Sequence, residues 1–212
     1  MSVYHLRSIF SSLQGEGRNS GRPATFVRFA TCNLNCKWCD AHKSERLALT
    51  VTEVMKEVEK RNNRSVVITG GEPTIQHGLT DLVRALKGSG YWVALETNGV
   101  NRPHHPELFD YISVSPKSEY SARYSDERML HQANEVRIVA VTDEISAFCR
   151  NMRERITATD YYISPLEQDG KIHYRRAFNL MLKLNAKSKT GGEAPWPPWC
   201  LSIQTHKVLG LK

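Results

Sequence analysis

Ala24-Thr-Phe-Val-Arg-Phe-Ala-Thr-Cys-Asn-Leu-Asn-Cys-Lys-Trp-Cys-Asp40 joins a short apolar run to a tight group of thiols. Residues 24–30 have the length and composition of a β-strand, and the cysteine segment follows at its carboxyl end. Period-two alternation sets Phe26, Arg28 and Ala30 on one face of that strand and Val27 and Phe29 on the other. If the first face looks into a barrel, the Arg28 guanidinium needs an anion there. A structural acid such as Glu16 or Glu96 would satisfy it, and so would a ligand carboxylate gripped at two points.

Cys32, Cys36 and Cys39 make a C-x3-C-x2-C triplet with Trp38 just before the last thiol. Three thiolates within eight residues can hold three irons of a [4Fe-4S] cluster. Such clusters usually take four cysteines, so the fourth iron is left open to another ligand. The alternative is a structural zinc site made of Cys32, Cys36, Cys39 and His42. Zinc sites usually draw their ligands from two knuckles separated by a longer loop, whereas these four candidates fall within eleven residues. Cys149 and Cys200 sit in apolar-rich surroundings and are expected to be buried small hydrophobes, not ligands.

Beyond the thiols, short apolar runs alternate with helical patterns, which suggests parallel β/α units. Further strands are predicted at residues 65–69, 92–96, 111–114, 135–141 and 161–164, with a last short one at 200–204 after a Gly/Pro-rich loop at 190–198. Helices are predicted at 52–60 (capped by Thr50 or Thr52), 79–87, 143–153 and 174–185. Polar, Gly- or Pro-containing clusters follow the strands: Gly70-Gly-Glu-Pro73, Glu96-Thr-Asn-Gly99, Ser115-Pro-Lys117 and Ser164-Pro-Leu166. In parallel β/α barrels the active site is built from the loops at that face. About six strands are too few to close an eight-stranded barrel, so the predicted class is α/β, a partial (open) β/α barrel of mainly parallel strands. The paired glycines at 70 and 71 would let the backbone approach a ligand closely. Ser11 to Gly17, taken alone, reads as a polar loop.

The chain has 212 residues, enough for one domain with a real core. No apolar run is long enough to span a bilayer, and Met1-Ser-Val-Tyr-His-Leu-Arg7 does not read as a secretory signal. Five cysteines, three of them clustered, do not suit a disulfide scaffold and point to a reducing cytoplasm. The formal charge of +7 is scattered, with a moderate concentration at Lys183, Lys187 and Lys189 and no aromatic-interleaved stripe. It favours an anionic small substrate over direct nucleic-acid binding.

Ser11-Ser-Leu-Gln-Gly-Glu-Gly17, Gly21-Arg-Pro-Ala-Thr-Phe-Val-Arg28, the cysteine triplet, Gly70-Gly-Glu-Pro73, Glu96-Thr-Asn-Gly99, Ser115-Pro-Lys117 and Leu201-Ser-Ile-Gln-Thr-His-Lys207 occur in one order. Together they closely resemble the 7-carboxy-7-deazaguanine synthases, a family of radical S-adenosylmethionine (SAM) enzymes. The triplet and the G-G-E-P motif carry the superfamily resemblance, and the S-L-Q-G-E-G and Q-T-H-K segments carry the family one. Another radical SAM enzyme, such as an activase for a glycyl-radical partner, would share the first pair but has no reason for the second.

The resemblance implies a single radical SAM domain with a C-terminal extension, residues 186–212, closing the site. It implies a lyase that rearranges 6-carboxy-5,6,7,8-tetrahydropterin to 7-carboxy-7-deazaguanine with loss of ammonia, on the route to queuosine and related deazapurines. SAM would be a recycled cofactor, cleaved by the cluster to a 5′-deoxyadenosyl radical that abstracts hydrogen from C6. Carried over by position, Cys32, Cys36 and Cys39 hold the cluster. SAM lies against Trp38, Asp40, the Gly71-Glu72 backbone, Gly99, Ser115, Pro116, Lys117 and the loop Ser164, Pro165, Leu166 and Glu167. Leu13, Gln14, Gly15, Thr97, Arg28 and the terminal carboxylate of Lys212 face the substrate, with Glu16 and Arg28 in catalytic positions. Ser164-Pro165-Leu166 departs from the family's usual Q-P sequence. Members that use Mg2+ place a threonine after the C-x-x-C-D segment, where this chain has Ala41, so Mg2+ binding is expected to be weakened. A flavodoxin- or ferredoxin-type reductant and a homodimer are also implied.

Overall fold

The computed structural model describes residues 2–39, 47–125, 127–187 and 195–211. Asp40, Ala41, His42 and Lys212, all singled out above, lie outside them. Strands β1 (Val3–Leu13), β2 (Pro23–Phe29), β3 (Leu47–Thr50), β4 (Ser65–Gly70), β5 (Trp92–Thr97), β6 (Tyr111–Val114), β7 (Glu135–Ala140), β8 (Asp160–Pro165) and β11 (Trp199–Leu201) form one nine-stranded sheet. Between the last two, the short strands β9 (Glu167–Gln168) and β10 (Lys171–Ile172) pair as a separate antiparallel hairpin. The large sheet runs β11-β8-β7-β6-β5-β4-β2-β1-β3. From β2 through β11 every neighbouring pair is parallel, while β1 is antiparallel to both β2 and β3. The sheet keeps two edges, β11 and β3, so the barrel is open as expected.

Helices cover the outer face because their apolar residues recur at helical spacing. In α1 (Val51–Glu59) Val54 and Val58 are buried, and a capping box between Thr50 and Glu53 fixes its start. In α2 (Leu79–Gly88) Leu79, Leu82, Val83 and Leu86 form the buried stripe. Cys149 and Met152 do so in α3 (Ser146–Arg155), and Ala177, Leu180 and Leu184 in α4 (Tyr174–Asn185). These stripes pack on outward-facing strand residues such as Val27, Ile68, Leu95 and Ile138 in one large core. The inner face has its own small apolar cluster of Ala24, Phe26, Val67 and Ala94, with Phe10, Trp92 and Tyr111 against it. Next along the same inward rows come Arg28, Thr69, Glu96, Ser113 and Arg137. The barrel interior therefore passes from apolar to charged toward the carboxyl ends of the strands.

Several elements differ from the sequence reading. Ser11 to Leu13 belong to the eleven-residue strand β1, because their backbone pairs with Pro23 to Thr25 whatever their side-chain polarity. The helix predicted at 143–153 starts at Ser146 and ends at Arg155. The last strand is Trp199–Leu201, not 200–204, and is followed by the short helix α5 (Thr205–Val208). Cys149 is buried as expected, but Cys200 is exposed. Alternation on the edge strand turns Trp199 under α4, where the Asn185 amide bonds both its N–H and its C=O, and leaves Cys200 on the open side.

The segment after β11 crosses to the β1–β2 turn. Ser202 Oγ accepts from the Gly17 amide at 3.0 Å, and the Thr205 amide donates to the Gly15 carbonyl at 2.9 Å. No helix among the described residues is long and apolar enough to cross a membrane.

Candidate active site

The carboxyl ends of the parallel strands surround a cavity of about 580 Å³. Cys32, Cys36 and Cys39 line it, on the loop that leaves β2. None is in a disulfide. The Cys39 amide donates to the Cys36 carbonyl at 3.1 Å and the Leu34 amide to Cys32 Sγ at 3.4 Å, which curls the loop. Burial pushes the Cys36 thiol up to about 11 and raises Cys32 as well, with each thiol's neighbours in the triplet adding to the rise and Lys117 opposing it. The thiols are thus near one another, and metal loading must release their protons. Among the described residues, no three or more His, Cys, Asp or Glu side chains form a group that could hold a metal ion. A single zinc ion needs its sulfurs at about 2.3 Å from one centre. A cubane is instead held at separate corner irons, so its thiolates stand apart. Three unbridged thiols sharing one cavity wall suit the cluster better than a closed zinc site.

Behind the cysteine loop, Gly70-Gly71-Glu72-Pro73 is locked to β5. The Glu72 carboxylate is fully buried and accepts from Thr97 Oγ1 (2.7 Å), the Asn98 amide (2.7 Å), the Thr74 amide (3.0 Å) and Thr74 Oγ1 (2.8 Å). Burial raises its pKa, against those bonds. The Gly71 and Glu72 amides donate to the Phe29 and Thr31 carbonyls, at 2.9 and 2.8 Å. Gly71 must be glycine because a Cβ there would lie 2.0 Å from the Thr31 oxygen. Asn98 extends the brace by donating to Asn33 Oδ1 at 2.8 Å within the cysteine loop. Glu72 is therefore a positioning group behind the cavity's wall.

Opposite the cysteines lies a buried ionic network. Arg137 on β7 meets Glu96 at 2.7 Å, Glu135 at 2.9 Å and Glu16 at 3.2 Å, and donates to Ser113 Oγ at 2.8 Å. Glu96 also accepts from Thr69 Oγ1 (2.7 Å) and Gln14 Nε2 (2.9 Å). Burial alone would raise the Glu96 carboxyl, but the Arg137 charge and these hydrogen bonds hold it down at about 2. Gln14 Oε1 in turn accepts from the Glu16 amide at 3.1 Å, which stiffens the turn after β1. The network uses up the two acids that could have neutralised Arg28. Among the described residues no acid pairs with Arg28, and its Nε is buried without a hydrogen-bond partner. Ser164 Oγ and Gln204 Oε1, also on the cavity, are unpartnered too.

Of the residues predicted for the site, Leu13, Gln14, Gly15, Glu16, Arg28, Trp38, Gly71, Thr97, Ser115, Lys117 and Ser164 line this cavity together with the cysteines. Trp38 Nε1 donates to Glu119 at 2.9 Å, and Lys117 Nζ lies 5.2 Å from its ring and bonds Ser115 at 2.7 Å. Burial lowers the Lys117 pKa. Glu72, Gly99, Pro116, Pro165, Leu166 and Glu167 do not line it; Leu166 is buried and Glu167 pairs with Lys207 on the surface. Arg7, Ser113, Arg137, Gln204 and His206 line the cavity without having been predicted. Arg137 carries the signal that exposed Arg28, a guanidinium in the inward row of an apolar strand. His206 and Gln204 sit in the quoted Q-T-H-K segment. A Cβ on Gly15 would fall 1.7 Å from His206 Nδ1, so only glycine leaves room for that ring.

A mainly parallel β/α sheet with a C-x3-C-x2-C loop on its strand-end cavity defines a radical SAM protein, and residues 26–117 match the Radical SAM superfamily. Over 99% of its length the chain is 40% identical to the 7-carboxy-7-deazaguanine synthase of Haemophilus influenzae and 42% identical to that of Neisseria meningitidis, covering 94% of each. The chain belongs to the 7-carboxy-7-deazaguanine synthase family. The crystal structure of QueE from Escherichia coli shares the fold, with a TM-score of 0.67 at 23% identity over 95% of this chain and 94% of that one.

Proposed function

We propose that this protein converts 6-carboxy-5,6,7,8-tetrahydropterin to 7-carboxy-7-deazaguanine with loss of ammonia. The observation that carries the reading is a single cavity that joins three cysteine thiols to an Arg28 guanidinium with no acid partner among the described residues. When bound at Cys32, Cys36 and Cys39, a [4Fe-4S] cluster with SAM supplies hydrogen-abstracting radical chemistry at the pterin C6. Arg28 binds the substrate carboxylate and fixes the orientation of the ring. The Glu16 carboxylate, steadied by Arg137, accepts from N–H groups of the pterin. Gln14, held by Glu96, keeps the Leu13 to Glu16 turn against the ligand. Thr97 contributes mainly through its backbone, since its hydroxyl donates to Glu72 and accepts from the Gly99 amide. The described segment 195–211, whose Gln204 and His206 line the cavity, completes it as an extension of one domain. Anaerobic incubation of the reconstituted protein with carboxytetrahydropterin tests the reading. Formation of 7-carboxy-7-deazaguanine is expected, and SAM cleavage without that product would overturn it.

Arg28→Lys keeps the charge but loses the planar two-point grip. The KM for the pterin is expected to rise about tenfold or more, equivalent to ~1.4 kcal/mol per decade, with SAM affinity preserved. An unchanged KM would mean that the carboxylate is held elsewhere.

The protein works in the cytoplasm with a flavodoxin- or ferredoxin-type electron donor, and its net charge of +7 favours encounter with an acidic carrier. A homodimer is supported by the exposed apolar side chains Phe178, Leu182, Ile203, Val208 and Leu209 on α4 and the C-terminal segment. Mg2+ stimulation is expected to be slight, because Ala41 offers no side-chain oxygen to a cation that favours hard oxygen ligands. Ala41→Thr should increase it. Initial rates with added Mg2+ and with chelator check this, and strong Mg2+ dependence of the native chain would refute it.

A further inference from the structure

Arg7 has no role in the reading above, yet its strand is bent to admit it. In the β1–β2 pair Leu6 faces Phe29 and Ser8 faces Arg28, so Arg7 and Ser8 together oppose one residue. Such a bulge interrupts the alternation and re-aims a side chain. Here it lets Leu6 remain in the core while Arg7 joins Arg28 and Phe10 on the cavity wall. Arg7 Nε and Nη1 are buried with no hydrogen-bond partner, like Nε of Arg28. Neither guanidinium has an acid partner among the described residues, because Glu16 and Glu96 are taken by Arg137. Two like charges opposite one another, with stranded N–H donors, are unfavourable unless an anion sits between them. Phe10 lies 5.4 Å from the Arg28 guanidinium and stacks on Phe26 at 5.2 Å, which gives a flat apolar surface beside the pair.

We propose that Arg7 and Arg28 form a two-guanidinium receptor for one carboxylate, that of the pterin substrate, with Arg7 as a specificity-determining residue. This rests on the function proposed above. A carboxylate has two oxygens and about four lone-pair sites, enough for both forks. The apolar surface then takes the ring that carries the carboxylate. SAM also has a carboxylate, so the test must separate the two sources.

Calorimetric titration of the anaerobic, iron-loaded protein with 6-carboxypterin, an unreactive oxidised analogue, and separately with SAM does so. Arg7→Met is expected to weaken 6-carboxypterin about 10- to 100-fold, as for a lost charge-assisted pair, and to leave the SAM Kd within about twofold. Arg7→Lys, which keeps the charge without the fork, should fall between Arg7→Met and wild type, and serves if Arg7→Met does not fold. An unchanged 6-carboxypterin Kd in the variants would overturn the proposal, and so would an equal loss of SAM affinity. If the wild-type protein itself shows no saturable 6-carboxypterin binding, the proposed substrate fails, which is a different result from failure at Arg7 alone.

Discussion

Cys36→Ala is expected to abolish iron loading and to lower turnover by a factor of about 10³ or more, ~4 kcal/mol of lost transition-state stabilisation. The same should hold for Cys32→Ala and Cys39→Ala. The three thiols share one wall of the cavity, and the other two cysteines lie elsewhere: Cys149 in the core under α3 and Cys200 on the exposed edge strand. No spare thiol stands by to take over a vacated iron. Cys149→Ala removes a fully buried sulfur and should cost about 1–2 kcal/mol of stability through packing alone. Cys200→Ala should be neutral, since its side chain is exposed. Iron content and visible absorbance of the anaerobically reconstituted variants give the readout. If Cys200→Ala lost iron as completely as Cys36→Ala, the ligand assignment would be wrong.

The parallel part of the sheet was legible because its strands are near-continuous apolar runs, each ending in Gly, Pro or polar residues. Val66-Val-Ile-Thr69 followed by Gly-Gly is one example. β1 was not legible as a strand. Its polar Ser11 and Ser12 lie on a strand whose pairing, not its side-chain pattern, keeps it in the sheet, and the bulge at Arg7 breaks the period from which a strand is read. Arg28 could be found because a lone guanidinium interrupts an apolar run. Arg137 stands in the same kind of row, Glu135-Val-Arg-Ile-Val-Ala140, but there it reads only as part of a strand. What joins Arg137 to Glu16 and Glu96 is tertiary: β7 packs against the β1–β2 turn that carries Glu16, and Glu96 stands in the inward row of β5. Those contacts lie 121 and 41 residues away in sequence, and no local pattern encodes them. Cys200 misled for a related reason: its apolar neighbours indicate a buried strand, but whether an edge strand is covered on both faces depends on what packs there.

Arg137→Met should destabilise the protein by about 3–5 kcal/mol, the usual cost of leaving partners of a buried ion pair uncompensated. For a chain of this length each kcal/mol lowers Tm by roughly 2–4 °C, so a fall of ~10 °C or more is expected. The Arg137 side chain is 6% exposed, and its charge is shared by three carboxylates that hold its proton more tightly than usual, against the effect of burial. Without it, Glu96 and Glu135 face each other's charge across the barrel interior, and Glu16 loses the contact that steadies it on the cavity wall. Activity should therefore fall even where the variant remains folded. The pH dependence separates a charge effect from lost packing. In the native protein Glu96 is held at about 2, below the unfolded value of roughly 4.3. The folded state binds fewer protons than the unfolded one between those values, so this contribution is complete above pH ~4.3 and is lost as pH falls toward 2. In Arg137→Met the depression disappears and protonation relieves the stranded carboxylates. The Tm gap between wild type and variant should accordingly be widest near neutral pH and narrow on acidification. Arg137→Lys, which restores one charge without the fork, should recover part of the gap at neutral pH. A gap that stays constant from pH 7 to pH 4 would show that Arg137 stabilises by filling space and not by its charge.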